Sequence, residues 1–327
     1  MVRSPTWSLA AHGGAGVIEP GGLRPAQEEA YRAAMARAAE AGAAVLRGGG
    51  RAIEAVELAV KALEDEPLFN AGRGAVFTAE GKAELDAAIM DGRTLAAGAV
   101  AGVTRTRNPI ALARAVMEGS EHVFLVGEGA EAFARTQQLD QVEPAYFFTE
   151  RRWKALERAL ASLALPIPHR PAGALVDEAA ALAHDEGKHG TVGVVARDVH
   201  GDLAAGTSTG GTTGKRWGRV GDSPLIGAGT YASNRSCAVS ATGAGEFFIR
   251  LGAAKEICAL VEHKGLPLQA ALDQVVQREL PAIGGDGGVI AVAPDGAIGW
   301  SFNTPGMYRA RIGAGAPLVV GLYKDDP

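Results

Sequence analysis

Cysteine is nearly absent: Cys237 and Cys258 are the only two in 327 residues. Two thiols in apolar neighbourhoods do not make a disulfide framework; they read as small buried hydrophobes in a reducing, cytoplasmic compartment. Aromatic residues are scarce as well, at 6%. No uncharged run approaches the ~20 residues of a membrane span, and no basic start leads into an apolar core as a secretory signal would. Positive charge is not in excess either. The net charge of -5 offers no electrostatic footprint for nucleic acid or an acidic membrane surface. His, Cys and carboxylate residues show no zinc-ligand spacing. Gly214-Lys215 is followed by Arg216 where a P-loop needs Ser or Thr. These absences leave a small partner as the expectation, with no nucleic acid and no membrane.

What is present in quantity is glycine, 45 residues, roughly twice the usual ~7% share. The glycines cluster in short motifs between apolar segments, which marks tight turns and close backbone approaches at one edge of the fold. The remaining composition, 47% hydrophobic and 21% charged, is that of a globular chain with a large core.

Apolar spacing predicts a strand from Trp7 to Ala11, ending in His12-Gly13-Gly14-Ala15-Gly16. Helices follow from Pro25 to Leu46 and from Ala52 to Leu63. Ala75-Val76-Phe77 and Leu85 to Met90 read as strands of a hairpin turned at Ala79-Glu80-Gly81-Lys82. A strand from Gly98 to Val103, a helix from Pro109 to Met117, a strand from Val123 to Val126 and a helix from Ala130 to Arg135 come next. From about 151 to 190, helical patches such as Trp153 to Leu163 alternate with Pro166, Pro168 and Pro171, and the end, with His184 and His189, is polar; the stretch reads as a mobile surface connector. Beyond it lie a hairpin from Thr191 to Ser208, long helices from Glu246 to Leu260 and from Leu268 to Leu280, and a second hairpin from Val289 to Phe302. Strands and helices on each side of the connector predict a layered α/β arrangement, of α+β character, forming one structural domain overall.

The sharpest feature is Thr191, in Gly190-Thr191-Val192-Gly193, where the polar connector meets an apolar β-branched run. A threonine hydroxyl is a poor nucleophile unless a base stands beside it. A cut between Gly190 and Thr191 would create that base, the new α-amine of Thr191 itself. The bland alternative is a threonine opening a strand, because its branched Cβ suits the pleat; a non-enzymatic glycine-rich binding protein would follow from it. Against that stand the motifs downstream: Thr207-Ser208-Thr209-Gly210-Gly211, then Gly218-Arg219-Val220-Gly221-Asp222-Ser223-Pro224, then Thr242-Gly243-Ala244-Gly245-Glu246. An Arg/Asp couple on a Gly/Pro loop suits a zwitterion, the guanidinium fork taking a carboxylate and the carboxylate an ammonium. Outside such a loop it would be an ordinary surface ion pair.

Together with His12-Gly13-Gly14-Ala15-Gly16 and Phe69-Asn70-Ala71-Gly72, these motifs resemble, in order and over nearly the whole chain, the plant-type asparaginase or isoaspartyl peptidase branch of the N-terminal nucleophile hydrolases. The resemblance implies an αββα sandwich and an inactive precursor that cuts itself at Gly190/Thr191. It implies an α subunit, 1–190, and a β subunit, 191–327, pairing into an (αβ)2 dimer of heterodimers. The implied reaction is hydrolysis of asparagine or of β-aspartyl peptides through a β-aspartyl ester on Thr191. By the same resemblance Thr209 hydrogen-bonds the nucleophile, Thr242 and Gly243 form the oxyanion hole, and Asn70 orients the nucleophile or a water. Arg219 and Asp222 hold the substrate zwitterion, with Gly243 and Gly245 letting the backbone approach it. Catalysis needs no cofactor. A structural sodium ion is expected on backbone carbonyls of Leu63, Glu64, Glu66, Phe69, Ala71 and Arg73. His12 is expected to be a hydrogen-bonded structural residue. Glycosylasparaginase, with the same fold and threonine chemistry, is the neighbouring alternative.

Overall fold

The computed structural model describes residues 7–16, 18–174 and 190–326. The first half supplies β1 (Ser8–Gly16), α1 (Pro25–Arg47), α2 (Ala52–Glu64), a 3-10 turn at Gly72–Gly74, β2 (Leu85–Asp91), β3 (Ala97–Val103), α3 (Pro109–Gly119), β4 (Phe124–Val126), α4 (Gly127–Thr136) and α5 (Glu150–Ser162). After Gly190 come β5 (Val192–Arg197), β6 (Leu203–Thr209), β7 (Thr230–Ala232), β8 (Ala238–Gly243), α6 (Gly245–Leu251) and α7 (Ala253–Lys264). Then α8 (Leu268–Asp273) runs into a π turn at Gln274–Glu279, followed by β9 (Gly287–Val292), β10 (Ile298–Phe302), β11 (Gly306–Gly313) and β12 (Ala316–Tyr323).

Two sheets form, an eight-stranded one in the order β12-β11-β1-β5-β6-β2-β3-β4 and a four-stranded one in the order β10-β9-β8-β7. Residues from both sides of Gly190 are interleaved in the larger sheet: β1 lies between β11 and β5, and β6 pairs with β2. Alternation along each strand, period two, splits the interior into two cores. Leu9, Ala11, Val192 and Val194 face helices α1 to α3, whereas Ala10, Val195, Leu203 and Ala205 face the smaller sheet. Helices α7 and α8 cover that sheet's other side through Ile257, Cys258, Ala271 and Leu272. Helix, sheet, sheet, helix is the αββα layering expected. Both cysteines are free and buried, as read from the sequence. Among the described residues no helix is long and apolar enough to cross a membrane.

The local reasons are visible. Pro25 occupies the first turn of α1, where its missing N–H costs nothing, and Tyr31, Met35, Ala38, Ala39 and Leu46 form the buried stripe. Helix α2 does the same with Ile53, Val56, Val60 and Leu63.

Several expectations need correction. Ala75-Val76-Phe77 is not a strand: the Val76 N–H goes to Asn70 Oδ1 and the Phe77 carbonyl to Gly214 N, so no ladder can form, and pairing shrinks to a single bridge between Thr78 and Lys215. Residues 79–82 close a turn in which Thr78 N bonds Lys82 O, without a hairpin. The helix expected from Glu246 to Leu260 is two helices, broken at Gly252 with φ +59°. The early part of the presumed connector is the ordered helix α5, with Trp153, Leu156 and Leu160 buried in the core. Residues 175–189, including His184 and His189, lie outside the described residues.

Candidate active site

Register brings the first two site residues together. Strands β5 and β6 pair Val192 with Ser208, so Thr191 and Thr209 stand opposite one another at adjacent strand ends. Their hydroxyls meet, Thr191 Oγ1 donating to Thr209 Oγ1 at 3.1 Å. Thr209 Oγ1 in turn donates to the carbonyl of Gly190 at 3.3 Å and accepts the N–H of Gly211 at 3.0 Å. Both threonines are buried.

Asn70 stands on the same carbonyl. Its Nδ2 donates to Gly190 O and to Gly211 O, each at 2.7 Å, while Val76 N–H holds its Oδ1 at 2.9 Å. Its contact is with the peptide bond before Thr191; among the described residues it makes no hydrogen bond to the Thr191 hydroxyl.

Behind Thr191 runs a buried polar chain. His12 Nδ1 lies 3.0 Å from the Thr191 carbonyl and Nε2 lies 2.9 Å from Ser240 Oγ. Burial pushes the imidazole down to about 3, so the ring is neutral at pH 7. A carbonyl only accepts, so Nδ1 carries the proton and Nε2 takes the Ser240 hydroxyl. Thr207 Oγ1 is 2.7 Å from Ser240 Oγ and receives Thr230 Oγ1 at 2.6 Å. His12 and Thr207 therefore support the floor from below, a part expected of His12 from its sequence context. No side chain fits at Gly193, where a Cβ would collide with Ser240 and His12.

A small recess of about 10 Å3, room for about one water, opens over this floor, lined by residues that include Gly190, Thr191, Thr209, Gly211, Arg219, Asp222 and Gly243. Asp222 is buried, and its backbone is pinned by a turn in which its carbonyl accepts Leu225 N and Gly229 N. Its Oδ2 has no hydrogen-bond partner among the described residues. Burial raises its carboxyl to about 7. An orphaned buried carboxylate facing a recess is an invitation to a cation. Gly245 separates it from Arg219: a Cβ there would lie 2.7 Å from Asp222 Oδ1 and 3.2 Å from Arg219 Nη2. The two charges converge, but Arg219 does not pair with Asp222. It grips Glu246, Nε to Oε1 at 2.9 Å and Nη2 to Oε2 at 3.0 Å. Sequence reasoning quoted Glu246 within its motif and gave it no role; a pairing across 27 positions leaves no local signal.

Gly243 lines the recess with φ +149°, a conformation L side chains rarely adopt. Thr242 sits behind it, fully buried, its Oγ1 receiving the Ala15 N–H at 3.4 Å.

The expected sodium loop is a tight backbone turn. The carbonyls of Leu63, Glu66 and Ala71 each accept a backbone N–H, from Glu66, Phe69 and Gly74, and keep a second lone pair. The carbonyls of Glu64 and Phe69 lie where a Cβ on Gly72 or Gly74 would clash. The Glu64 carboxyl turns away, accepting Ser208 Oγ at 2.7 Å and Ile110 N at 3.0 Å, and burial raises it to about 8. Backbone carbonyls are the donor type that a hard cation takes. Among the described residues no group of three His, Cys, Asp or Glu could hold a metal.

Comparison with known proteins meets this geometry from the other side. A family model described as Asparaginase matches residues 5–319. The chain is 50% identical over 317 residues to an isoaspartyl peptidase of Salmonella typhimurium, covering 97% of this chain and 98% of the relative. It is 49% identical over 317 residues to an isoaspartyl peptidase of Escherichia coli, covering 97% and 96%. It is also 43% identical over 305 residues to a plant-type L-asparaginase of Pyrococcus abyssi, covering 93% and 95%. With a threonine pair on a strand-end floor, an αββα frame and a match from residue 5 to residue 319, the chain belongs to this asparaginase family of N-terminal nucleophile hydrolases.

Proposed function

We propose that the protein cuts its own chain at Gly190/Thr191 and then hydrolyses the side-chain amide of L-asparagine and the isopeptide bond of β-aspartyl peptides, releasing L-aspartate. The observation that carries the reading is the bridge from Thr191 Oγ1 through Thr209 Oγ1 to the Gly190 carbonyl, beneath a recess walled by Asp222, whose Oδ2 has no hydrogen-bond partner among the described residues.

In the uncut chain, the Thr191 hydroxyl attacks the Gly190 carbonyl carbon. Its proton passes toward Thr209, whose own hydroxyl points at the Gly190 oxygen. Charge develops on that oxygen between Asn70 Nδ2 and Thr209 Oγ1, two donors already in place. The C–N bond breaks as the Thr191 nitrogen takes up the proton that its hydroxyl gave to Thr209, the acyl group sits on Thr191 as an ester, and water releases Gly190 as a carboxylate. Thr191 is left with a free amine. In turnover that amine takes the hydroxyl proton and later gives one to the leaving ammonia or peptide amine. Its ordinary pKa of about 7.7–8.0 suits both steps. Asp222 takes the substrate ammonium and Arg219 the α-carboxylate. Thr242 and the Gly243 N–H serve the substrate oxyanion. Mass spectrometry of the new N-terminus, with aspartate release from asparagine, a β-aspartyl dipeptide and glycosylated asparagine, tests the reading. An uncut active chain would end it, and turnover of the sugar substrate alone would move it to glycosylasparaginase.

Thr209→Ala removes the bridge and is expected to slow cutting by on the order of 10²-fold, followed as band conversion on denaturing gels; cutting at the native rate would detach Thr209 from maturation. The same proposal includes pairing of the cut fragments into an (αβ)2 assembly in the cytoplasm, supported by two free buried thiols. It also includes a structural sodium ion on the Leu63 to Arg73 carbonyls. Exchanging sodium for choline at fixed ionic strength is expected to lower the melting temperature by roughly a few degrees; identical melting curves would remove the ion.

A further inference from the structure

The Arg219 guanidinium has five N–H donors in a rigid fork. Glu246 occupies one edge, Nε and Nη2, with two parallel bonds of 2.9 and 3.0 Å. Among the described residues the guanidinium makes no other hydrogen bond. The opposite edge, Nη1 with the second Nη2 hydrogen, is walled by glycines: a Cβ on Gly221 would lie 3.0 Å from Nη1, one on Gly211 3.4 Å from Nη1, and one on Gly245 3.2 Å from Nη2. Gly211 and Gly221 line the recess over Thr191. The free edge therefore faces the substrate space, and the gripped edge faces out, toward a Glu246 side chain 59% exposed against 19% for Arg219.

We propose that Glu246 is a positioning residue: it holds the guanidinium plane by its outer edge so that the inner Nη1–Nη2 edge meets the substrate α-carboxylate in two parallel bonds. This rests on the assignment of Arg219 to that carboxylate. As an ion pair at the rim it adds little to stability. Its effect lies in binding. An arginine side chain free to rotate loses rotamer freedom each time it docks a ligand, and one already held loses less. Glu246 also sets direction, because the two edges of one guanidinium point to different places, and taking the outer edge leaves the inner one for the recess.

The test uses the mature enzyme with Glu246→Gln and Glu246→Asp, assayed on a β-aspartyl dipeptide. Inhibition is read with L-aspartate and with its α-carboxamide analogue. Glu246→Gln is expected to raise KM about tenfold with kcat changed less than twofold. The inhibition constant of L-aspartate rises in parallel, and that of the α-amide, which offers no carboxylate to the fork, stays put. Glu246→Asp falls between wild type and Gln. A lowered KM would make Glu246 a competitor for the fork and overturn the proposal. So would an unchanged KM, or an equal loss on the α-amide. Arg219→Ala separates the two layers: if its KM and L-aspartate inhibition match wild type, the carboxylate assignment itself is wrong and Glu246 falls with it. If Arg219→Ala is impaired and Glu246→Gln is not, only the positioning role is lost.

Discussion

Thr191→Ala remains one chain after days in solution and releases aspartate from neither asparagine nor a β-aspartyl dipeptide, an expected loss of at least about 10⁴-fold. Two separate chemistries fail at once. Without the hydroxyl nothing attacks the Gly190 carbonyl, although Asn70 Nδ2 still holds it. Without a cut, no α-amine appears to act as base. Thr191→Ser keeps both groups and is expected to cut and turn over at reduced rate, since Oγ keeps its reach to Thr209 while losing the methyl that fixes its rotamer. Gel electrophoresis and aspartate release read both variants. An active, uncut Thr191→Ala would refute the nucleophile.

Asp222→Asn carries the second large effect. Truncating one partner of a buried charge pair costs on the order of 2–5 kcal/mol, so kcat/KM on a β-aspartyl dipeptide should fall by about 10² to 10³. The pH dependence gives a sharper signature. Burial raises the Asp222 carboxyl to about 7, and the substrate ammonium needs it ionised, so wild-type kcat/KM should decline as pH falls through about 7. In the Asn variant only the limb set by the Thr191 amine, whose ordinary pKa is about 7.7–8.0, should remain, so the decline loses one proton's steepness. Stability moves the other way. Between the unfolded value near 3.9 and about 7, the native state binds a proton that the unfolded state has released, so stability declines as pH rises through this window. Above it the folded enzyme holds an ionised carboxylate whose Oδ2 has no partner among the described residues. At pH 8, Asp222→Asn should therefore melt higher by roughly a few degrees, and a lower melting point would contradict the raised carboxyl.

Much of the frame was legible because its signals are local. Pro25 and Pro109 open helices at their first turns, and the hairpin from Thr191 announces itself by β-branched residues around an Asp-rich turn. Legibility stopped where a long-range partner decides the outcome. Ala75 to Phe77 has strand composition, yet Asn70 and Gly214 claim its backbone. Glu246 to Leu260 has unbroken helical spacing, yet Gly252 turns left-handed. Strands β7, β8, β11 and β12 were not delimited, their short or glycine-bearing runs lacking clear alternation. At the site, motif order brought forward Thr191, Thr209, Asn70, Arg219 and Asp222, all drawn to one neighbourhood by β5–β6 register and the glycine loops. What contacts what was not legible: Asn70 meets the carbonyl before Thr191, Arg219 meets Glu246, and the Glu64 carboxyl caps α3.

The interleaving of β1 between β11 and β5 changes what thermal denaturation means once the chain is nicked. Before the cut, refolding is a first-order search by one polymer. Afterwards the same sheet can be rebuilt only when two separate polymers collide, because each half supplies interior strands that the other must bracket. The melting midpoint of the nicked form should climb with dilution reversed, that is, with protein concentration, while that of Thr191→Ala stays level.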